Sequence, residues 1–391
     1  MSEFFWNLQT DDDKKRYIQL LQIVGSLSNL FADTVNPFLY YRAHENLFCE
    51  VFNAKNLSRG DISFDAVKGN LGIGLKTFLQ GNGNTFQKVA EFNSDSDLFR
   101  GLVTDEEVIY KVSELRNKRI KMTQNATNTK LNLYHLITRD EGCMNVVETP
   151  MDLVDINSIK IPKKQYKNTI HFSDKYNEYS FSRSKNTLLK RFNTSEQHII
   201  CQFEVEILKN PFDILLNLSN YNDDKNNDLS QKQDGLEYII LPLYSPKDGK
   251  VQLRSGLNQW NAKGRPRHPD EVYIPIPSWI HTTFKEFFRY EAGKPTQNYP
   301  SFNVELPNGH IMKCKIAQGG GKALMSDPNK DLGHWILRDV LQIPEFQVLN
   351  MEFLNEVGID SVKLSKKNLD YYLLDFMSSG SFKEFEENNK L

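Results

Sequence analysis

Three charged side chains in the first quarter of the chain have the types and spacing that hydrolysis of a phosphodiester requires. Asp65 and Lys76 stand on either side of the dipeptide Gly69-Asn70, and Glu91 follows Lys76 after fourteen intervening residues. Carboxylates bind a divalent metal ion, while a nearby ammonium group orients the attacking water and offsets the charge that develops on the phosphate. The sequence therefore predicts a metal-dependent site formed by Asp65, Lys76 and Glu91.

Residues 61–78 predict the β-hairpin that would position the first two of these groups. A Gly-Asn pair between two apolar segments is a strong signal for a two-residue turn. Asp61, Ser63 and Asp65 would then share one face of the first strand. Because acidic residues are depleted in strands, Asp65 calls for a functional reason. The structural alternative is an aspartate at a strand end near a turn.

Two predicted helices would bring further carboxylates to the hairpin. Residues 85–93 predict a helix that carries Glu91. Asn36-Pro37 predicts the start of another helix, which would run to about Asn53 and pack beside the hairpin. Glu45 is the preferred additional carboxylate on that helix, ahead of Glu50. For each of these two residues, a solvated surface glutamate is the alternative interpretation.

An aspartate followed by a lysine at the end of an apolar strand resembles the PD-(D/E)XK nuclease core of restriction endonucleases. The position two before Lys76 departs from that motif, because it holds Gly74 where an acid is usual. Some enzymes of the EcoRII and Cfr10I type carry this acid on the following helix, and Glu91 fits such a migrated position. The resemblance implies Mg2+ as the cofactor. It implies as metal ligands Asp65, Glu91 and the backbone carbonyl of Leu75, with Lys76 beside the water and Glu45 in support.

Two polar loops in the second half of the chain suit contact with DNA. Residues 250–269 contain five basic residues and no acidic one. The side chains of this loop expected to contact DNA are Arg254, Asn258, Gln259, Trp260, Asn261, Lys263, Arg265 and Arg267. Those of the second, glycine-rich loop at 317–329 are Gln318, Lys322, Ser326 and Asn329. Cations suit phosphates and guanine edges, and amides suit adenine. The second loop lacks the spacing of a nucleotide-binding phosphate loop.

These two loops, with the segments that follow them, resemble the C-terminal recognition domain of BfiI- and NgoFVII-type restriction enzymes over about residues 236–345. The resemblance implies the pseudobarrel fold of plant B-three transcription factors, which grips the DNA major groove with two arms. The N-arm corresponds to Arg254–His268 and the C-arm to Gln318–Lys330. The BfiI type has a phospholipase-D-like catalytic domain with a His-x-Lys motif. None of the eight histidines here has lysine two residues later, which favours the metal-dependent nuclease.

Two other cationic segments could contact the DNA backbone. Residues 106–125 predict a basic helix, for which a solvated helix face is the commoner explanation. Residues 177–192 predict a strand followed by a helix, with Ser184 or Asn186 as its cap. Four cations of that segment would form a phosphate-contacting surface, and they are Arg183, Lys185, Lys190 and Arg191.

Composition sets the domain organisation. Residues 219–234 have almost no apolar side chains, so we predict a linker there. It separates a nuclease domain at 1–218 from a recognition domain with a C-terminal extension at 235–391. The predicted fold is an α/β nuclease core, a mixed sheet flanked by helices, followed by an all-β DNA-binding pseudobarrel. The net charge is only −2, so a DNA-binding surface must be local.

The predicted function is a type II restriction endonuclease that cleaves double-stranded DNA. Expected partners are a cognate DNA methyltransferase acting on the same site and a second copy of the chain. The four cysteines form no CxxC pair, and there is no long apolar run and no signal peptide. These features predict a cytoplasmic protein, and the resemblance to restriction enzymes implies a prokaryotic one. The alternative is a non-catalytic, sequence-specific DNA-binding protein with a degenerate nuclease domain, which Gly74 favours. A nicking or mismatch-type nuclease is a third possibility.

Overall fold

The computed structural model describes residues 4–57, 62–163, 165, 168–214, 236–291 and 293–390. Asp61 and the predicted linker at 219–234 lie outside these residues. Within the described residues, the chain forms two compact units. The first contains residues 4–57, 64–91 and 129–214, and the second contains residues 62–63, 92–128 and 236–390. Residues 92–128, which fall in the predicted nuclease domain, therefore pack in the second unit.

The described residues of the first unit include two sheets and the helices α1 and α2, whose bounds are given below. Its strands are β1 (Lys55–Asn56), β2 (Ala66–Lys68), β3 (Leu71–Leu79), β4 (Asn84–Glu91), β5 (Leu131–Asp140), β6 (Cys143–Pro150), β7 (Thr169–Ser173), β8 (Glu178–Ser182), β9 (Thr187–Asn193) and β10 (Ile199–Glu204). The larger sheet has the order β1-β2-β3-β5-β6-β10. It is mixed, because β3 and β5 are parallel while the other neighbours are antiparallel.

Helices α1 (Asp11–Ser26) and α2 (Tyr41–Val51) share an apolar core with the larger sheet. The core residues Tyr17, Phe48 and Ile73 are fully buried. The predicted helix start at Asn36-Pro37 is wrong by several residues. The chain stays irregular through residue 40 and α2 begins at Tyr41. Proline 37 thus precedes the helix rather than occupying its first turn.

The predicted Gly69-Asn70 hairpin is confirmed, but its first strand is shorter than expected. β2 begins at Ala66, so Ser63 and Asp65 precede the strand rather than sharing one of its faces. Strands β2 and β3 are antiparallel and joined by Gly69-Asn70, where Gly69 has a φ of 60°. Such a left-handed conformation suits glycine, because a side chain would be strained there. The main chain of Asp65 extends the pairing, since its N–H donates to the carbonyl of Ile73 over 2.9 Å.

The smaller sheet of the first unit has the order β4-β9-β8-β7 and is antiparallel throughout. The helix predicted at 85–93 is therefore wrong, because these residues form most of β4. The helix predicted after residue 182 is also wrong, because the segment is a turn followed by β9. In β9 the buried residues Leu188, Lys190 and Phe192 alternate, as expected for a strand. Strand β4 pairs its backbone N–H and carbonyl groups with those of β9, which lies about 100 residues later in the sequence.

The second unit is built on a seven-stranded sheet. Its strands are β11 (Tyr238–Pro242), β12 (Ile274–Pro275), β13 (Phe302–Glu305), β14 (Ile311–Ala317), β15 (Ala323–Ser326), β16 (Ile359–Asn368) and β17 (Tyr371–Ser378). The order is β11-β16-β17-β13-β14-β15-β12, and only β13 and β17 are parallel. The edge strands β11 and β12 contact each other, so the sheet nearly closes into a barrel.

Several helices belong to the same unit as this barrel. They are α3 (Asp97–Arg100), α4 (Asp105–Thr127), α5 (Ser278–Thr283), α6 (Asp331–Gly333, continued as a π-helix over His334–Val340), α7 (Met351–Val357) and α8 (Ser381–Asn389). Met122 and Ala126 of α4 belong to the same apolar core as the barrel strands. The barrel-like sheet fits the predicted pseudobarrel. No helix among the described residues is long and apolar enough to cross a membrane.

Candidate active site and nucleic-acid interface

Asp65 is fixed against β3 by its side chain as well as its backbone. Its carboxylate oxygen Oδ2 accepts a hydrogen bond from the N–H of Leu75 over 2.7 Å. Its backbone carbonyl accepts from the N–H of Leu57 over 2.9 Å. Asp65 is thereby placed beside the residue that precedes Lys76, as the hairpin register requires.

Glu45 joins this group from α2. Its side chain is almost fully buried and accepts a hydrogen bond from the Arg42 guanidinium over 2.9 Å. Burial and the negative charge of Asp65 raise the pKa of Glu45, whereas Arg42 and Lys76 act in the opposite direction. The two carboxylates and the ammonium group of Lys76 therefore lie close enough to act on one another.

The electrostatics of this group favour a bound cation. Burial raises the pKa of Asp65, and the charges of Lys76 and Arg42 and the hydrogen bond from Leu75 offset it only in part. The protein around both carboxyl groups thus stabilises their ionised forms less well than water does, and a bound cation would offset this. Oxygen ligands suit Mg2+, which proteins often bind through only one or two carboxylates together with substrate phosphates. The pair fits that description. Among the described residues, no group of three or more acidic, histidine or cysteine side chains could hold a metal.

Glu91 has a different environment from the one expected. It lies at the end of β4, is exposed, and its carboxylate pairs with Lys88 over 2.9 Å. The helix that was to carry it is a strand, so its role as a metal ligand remains a prediction. The structure places Glu45 beside Asp65.

Steric crowding explains why position 74 holds glycine rather than an acid. A Cβ atom there would lie 2.6 Å from Cε of Met151 and 2.8 Å from Cδ1 of Tyr134. The Tyr134 ring is buried, and Phe192 packs edge-on against it at 5.0 Å. The ammonium group of Lys76 lies 5.9 Å from the centre of the same ring. An aromatic ring and a methionine thus fill the space that an acid at position 74 would need.

Sequence reasoning missed Arg42. This residue connects Glu45 to the surface, since its guanidinium bonds Glu45 and lies 5.3 Å from the centre of the Tyr41 ring. The signal was the three-residue spacing of Arg42 and Glu45 on a predicted helix, which places opposite charges on one face.

In the N-arm, part of the predicted DNA-binding set serves the fold. Asn258 is fully buried in a short 3-10 helix, and its amide bonds both the N–H and the carbonyl of Leu349, over 2.9 and 2.8 Å. The Arg267 guanidinium donates to the carbonyls of Ala262 and Lys263. Trp260 is partly buried against the barrel core. These three side chains hold the loop in shape.

The other predicted contacts vary in exposure. The exposed residues are Arg254, Asn261, Lys263 and Arg265 in the N-arm and Gln318 and Lys322 in the C-arm. Gln259 and Asn329 are partly buried, and buried Ser326 accepts a hydrogen bond from the N–H of Leu332. Arg265 makes a two-pronged ion pair with Glu271, with distances of 3.0 and 2.6 Å. A cleft of about 660 Å³ has both arms in its lining, through Ser255 on one side and Gln318 and Lys322 on the other.

Several cations of the two additional basic segments form ion pairs with acidic residues of their own unit. In α4, Lys111 and Lys118 both pair with Glu356, over 3.2 and 2.5 Å, and Arg119 pairs with Asp95. This pairing favours the structural interpretation of the helix.

In β9, Lys190 is buried and Arg191 pairs with Glu178 over 2.8 Å. The predicted phosphate-contacting surface would therefore have to rely on the turn residues Arg183 and Lys185.

Comparison with known proteins bears on the second unit. Residues 228–368 match the model of the NgoFVII C-terminal B3-like DNA-binding domain. No curated protein matches the chain. The match covers both arms and the strands that carry them, and so supports the predicted recognition domain. It indicates sequence-specific DNA binding of the kind found in a restriction-enzyme family.

Proposed function

We propose that this protein is a type II restriction endonuclease, in which the second unit reads a target sequence and the first unit hydrolyses the DNA backbone with Mg2+. One observation carries the catalytic half of this proposal. Asp65, Glu45 and Lys76 come together in the first unit of a chain whose C-terminal region is similar to a restriction-enzyme recognition domain. Double-stranded DNA is then the substrate.

In this proposal Asp65 and Glu45, with the backbone carbonyl of Leu75, would hold Mg2+. When bound, the ion supplies Lewis-acid stabilisation of the phosphate and lowers the pKa of water. Lys76 orients the attacking water and offsets the charge that develops on the phosphate oxygens. The Leu75 N–H keeps Asp65 facing β3, and Arg42 holds Glu45 in place. The hydrolysis breaks the bond between phosphorus and the 3′ oxygen.

Plasmid cleavage tests this assignment. Wild-type protein with Mg2+ should linearise or fragment a plasmid that contains the target, and EDTA should prevent it. Asp65→Asn retains an oxygen acceptor for the Leu75 N–H but loses the charge, so it should abolish cleavage and retain specific binding. Lys76→Met should do the same. If Asp65→Asn cleaves at the wild-type rate, the catalytic assignment is wrong.

A non-catalytic DNA-binding protein is the second candidate, and Gly74 favours it because the motif lacks one acid. The same gel distinguishes the two candidates, since this one predicts shifted but uncut DNA at every Mg2+ concentration. A nicking enzyme would instead yield open circles.

Cleavage of both strands at a palindromic target requires two active sites or two successive nicks. We therefore propose a homodimer as the cleaving form, and a methyltransferase acting on the same target as the protecting partner. Sedimentation of the DNA complex tests the first of these proposals, and resistance of methylated target DNA tests the second.

A further inference from the structure

An exposed aromatic pair borders the candidate active site. Tyr40 and Tyr41 are 50% and 49% exposed, and their ring centres lie 4.6 Å apart. The two rings are tilted against each other by 57°, and the Arg42 guanidinium lies over the Tyr41 ring. The two rings thus form one solvent-facing group at the start of α2, held together by their own contacts.

This group adjoins the carboxylates through a short chain of contacts within the first unit. The guanidinium of Arg42 lies 5.3 Å from the centre of the Tyr41 ring and bonds Glu45 over 2.9 Å. Glu45 in turn interacts electrostatically with Asp65 and Lys76. Tyr41, Arg42 and Glu45 thus lie within about one turn of α2.

We propose that Tyr40, Tyr41 and Arg42 form a DNA-contacting surface of the first unit at the cleavage position, with the rings stacking on a base next to the scissile phosphate and Arg42 contacting the backbone. This inference rests on the proposed nuclease function and adds to it. Every base offers a face on which an aromatic ring can stack, and an apolar wedge can partly unstack a base step in a duplex. Arginine, with its planar donor fork, suits the phosphate.

The chain offers a matched control in the same unit. Tyr176, in the turn between β7 and β8, is 58% exposed, and the ammonium group of Lys175 lies 5.3 Å from the centre of its ring. It reproduces the exposure and the cation contact of Tyr41, and its backbone N–H donates to the side chain of Asp174. Tyr176→Ala should cleave like the wild type.

The test combines cleavage with a base-stacking probe on the full chain. The double variant Tyr40→Ala/Tyr41→Ala should lower kcat/KM with Mg2+ by about tenfold to a hundredfold, the loss expected for one base stack. In EDTA its affinity for target DNA should fall by no more than the same factor, and its preference for the target sequence, which the second unit sets, should not change. 2-Aminopurine next to the cut position should gain fluorescence with the wild type and Tyr176→Ala, and gain less with the double variant. Tyr40→Phe/Tyr41→Phe keeps the rings and should keep both signals.

Three results would overturn the inference. They are wild-type cleavage by the alanine pair, an equal loss in Tyr176→Ala, and a loss in the phenylalanine pair as large as in the alanine pair. If the alanine pair fails to fold, the phenylalanine pair and the 2-aminopurine signal of the wild type still decide. Failure of the wild type to cut any DNA would refute the proposed function instead, so the two failures are distinguishable.

Discussion

Restoring the acid that the nuclease motif lacks should harm this protein. Gly74 lies on β3, two residues before Lys76, where the resemblance leads one to expect a carboxylate. A Cβ atom there would meet three heavy atoms of Met151 and Tyr134 at 2.6 to 2.9 Å, closer than real contacts allow. Met151 presents the flexible end of its side chain, but the Tyr134 ring is held edge-on by Phe192.

The size of the effect follows from this crowding. Gly74→Ala should destabilise the first unit by about 1–3 kcal/mol, the usual cost of overpacking a core. For a unit of this size that corresponds to roughly 2–4 °C of melting temperature per kcal/mol. Gly74→Asp should cost more, because it also buries a carboxylate beside an aromatic ring. It should not increase Mg2+-dependent cleavage.

Urea denaturation and plasmid cleavage measure both parts of this prediction. Gly101→Ala is the control, since a Cβ atom at that position meets nothing within 4 Å. Combining Gly74→Ala with Met151→Ala should cost less than the sum of the two single changes, by about 0.5–3 kcal/mol. A Gly74→Asp protein that is as stable as the wild type and cuts faster would refute the reasoning. The space beside Gly74 would then accommodate a side chain, and the lack of an acid there would reduce catalysis.

Further predictions concern the carboxylate pair and the arms. Without metal, Asp65→Asn should raise the free energy of unfolding by about 0.5–2 kcal/mol near neutral pH, measured by urea denaturation. The pKa of Asp65 is raised in the folded state, so ionisation of Asp65 lowers the free energy of unfolding as the pH rises past its ordinary pKa. The stability that Asp65→Asn gains over the wild type should therefore vanish in acid, where Asp65 is protonated in both states. A lower stability at neutral pH would contradict this. The Mg2+ concentration for half-maximal cleavage should rise as the pH falls towards the raised pKa values of the two carboxyl groups, because protons compete with the ion for them; a constant value would contradict this. Arg254→Ala should weaken target binding by about 1–3 kcal/mol without changing stability, whereas Asn258→Ala should destabilise the second unit by about 1–3 kcal/mol for each buried group left unpaired. Titration of labelled DNA and thermal melting separate the two, and equal behaviour would count against the structural role of Asn258.

The parts of the fold that sequence patterns predicted correctly rest on local or family-specific signals. The Gly69-Asn70 hairpin is local, since the turn and the two strands are adjacent. The recognition domain was predictable because its two loops carry a recognisable set of residues, and residues 228–368 match the corresponding family model.

The wrong predictions concern residues whose structure is determined by contacts with residues distant in the sequence. A segment as short as β4 is ambiguous by periodicity, and it is a strand because β9, about 100 residues later, pairs with it. From its type and position, Asn258 was predicted to contact a base. Its side-chain amide instead forms hydrogen bonds with the backbone of Leu349, which lies 91 residues away in the sequence. The place of α4 in the second unit likewise depends on packing partners that no local pattern reveals.

In our proposal, Asp65 and Glu45 form a Mg2+-dependent hydrolase site with Lys76, in a protein that binds a specific DNA sequence. The most direct measurement is digestion of plasmid DNA with Mg2+ by the wild type and by Asp65→Asn, followed by sequencing of the ends. We expect defined ends at a single recurring sequence from the wild type, and uncut but specifically bound DNA from the variant. Cleavage that persists in EDTA, or in Asp65→Asn, would contradict the account.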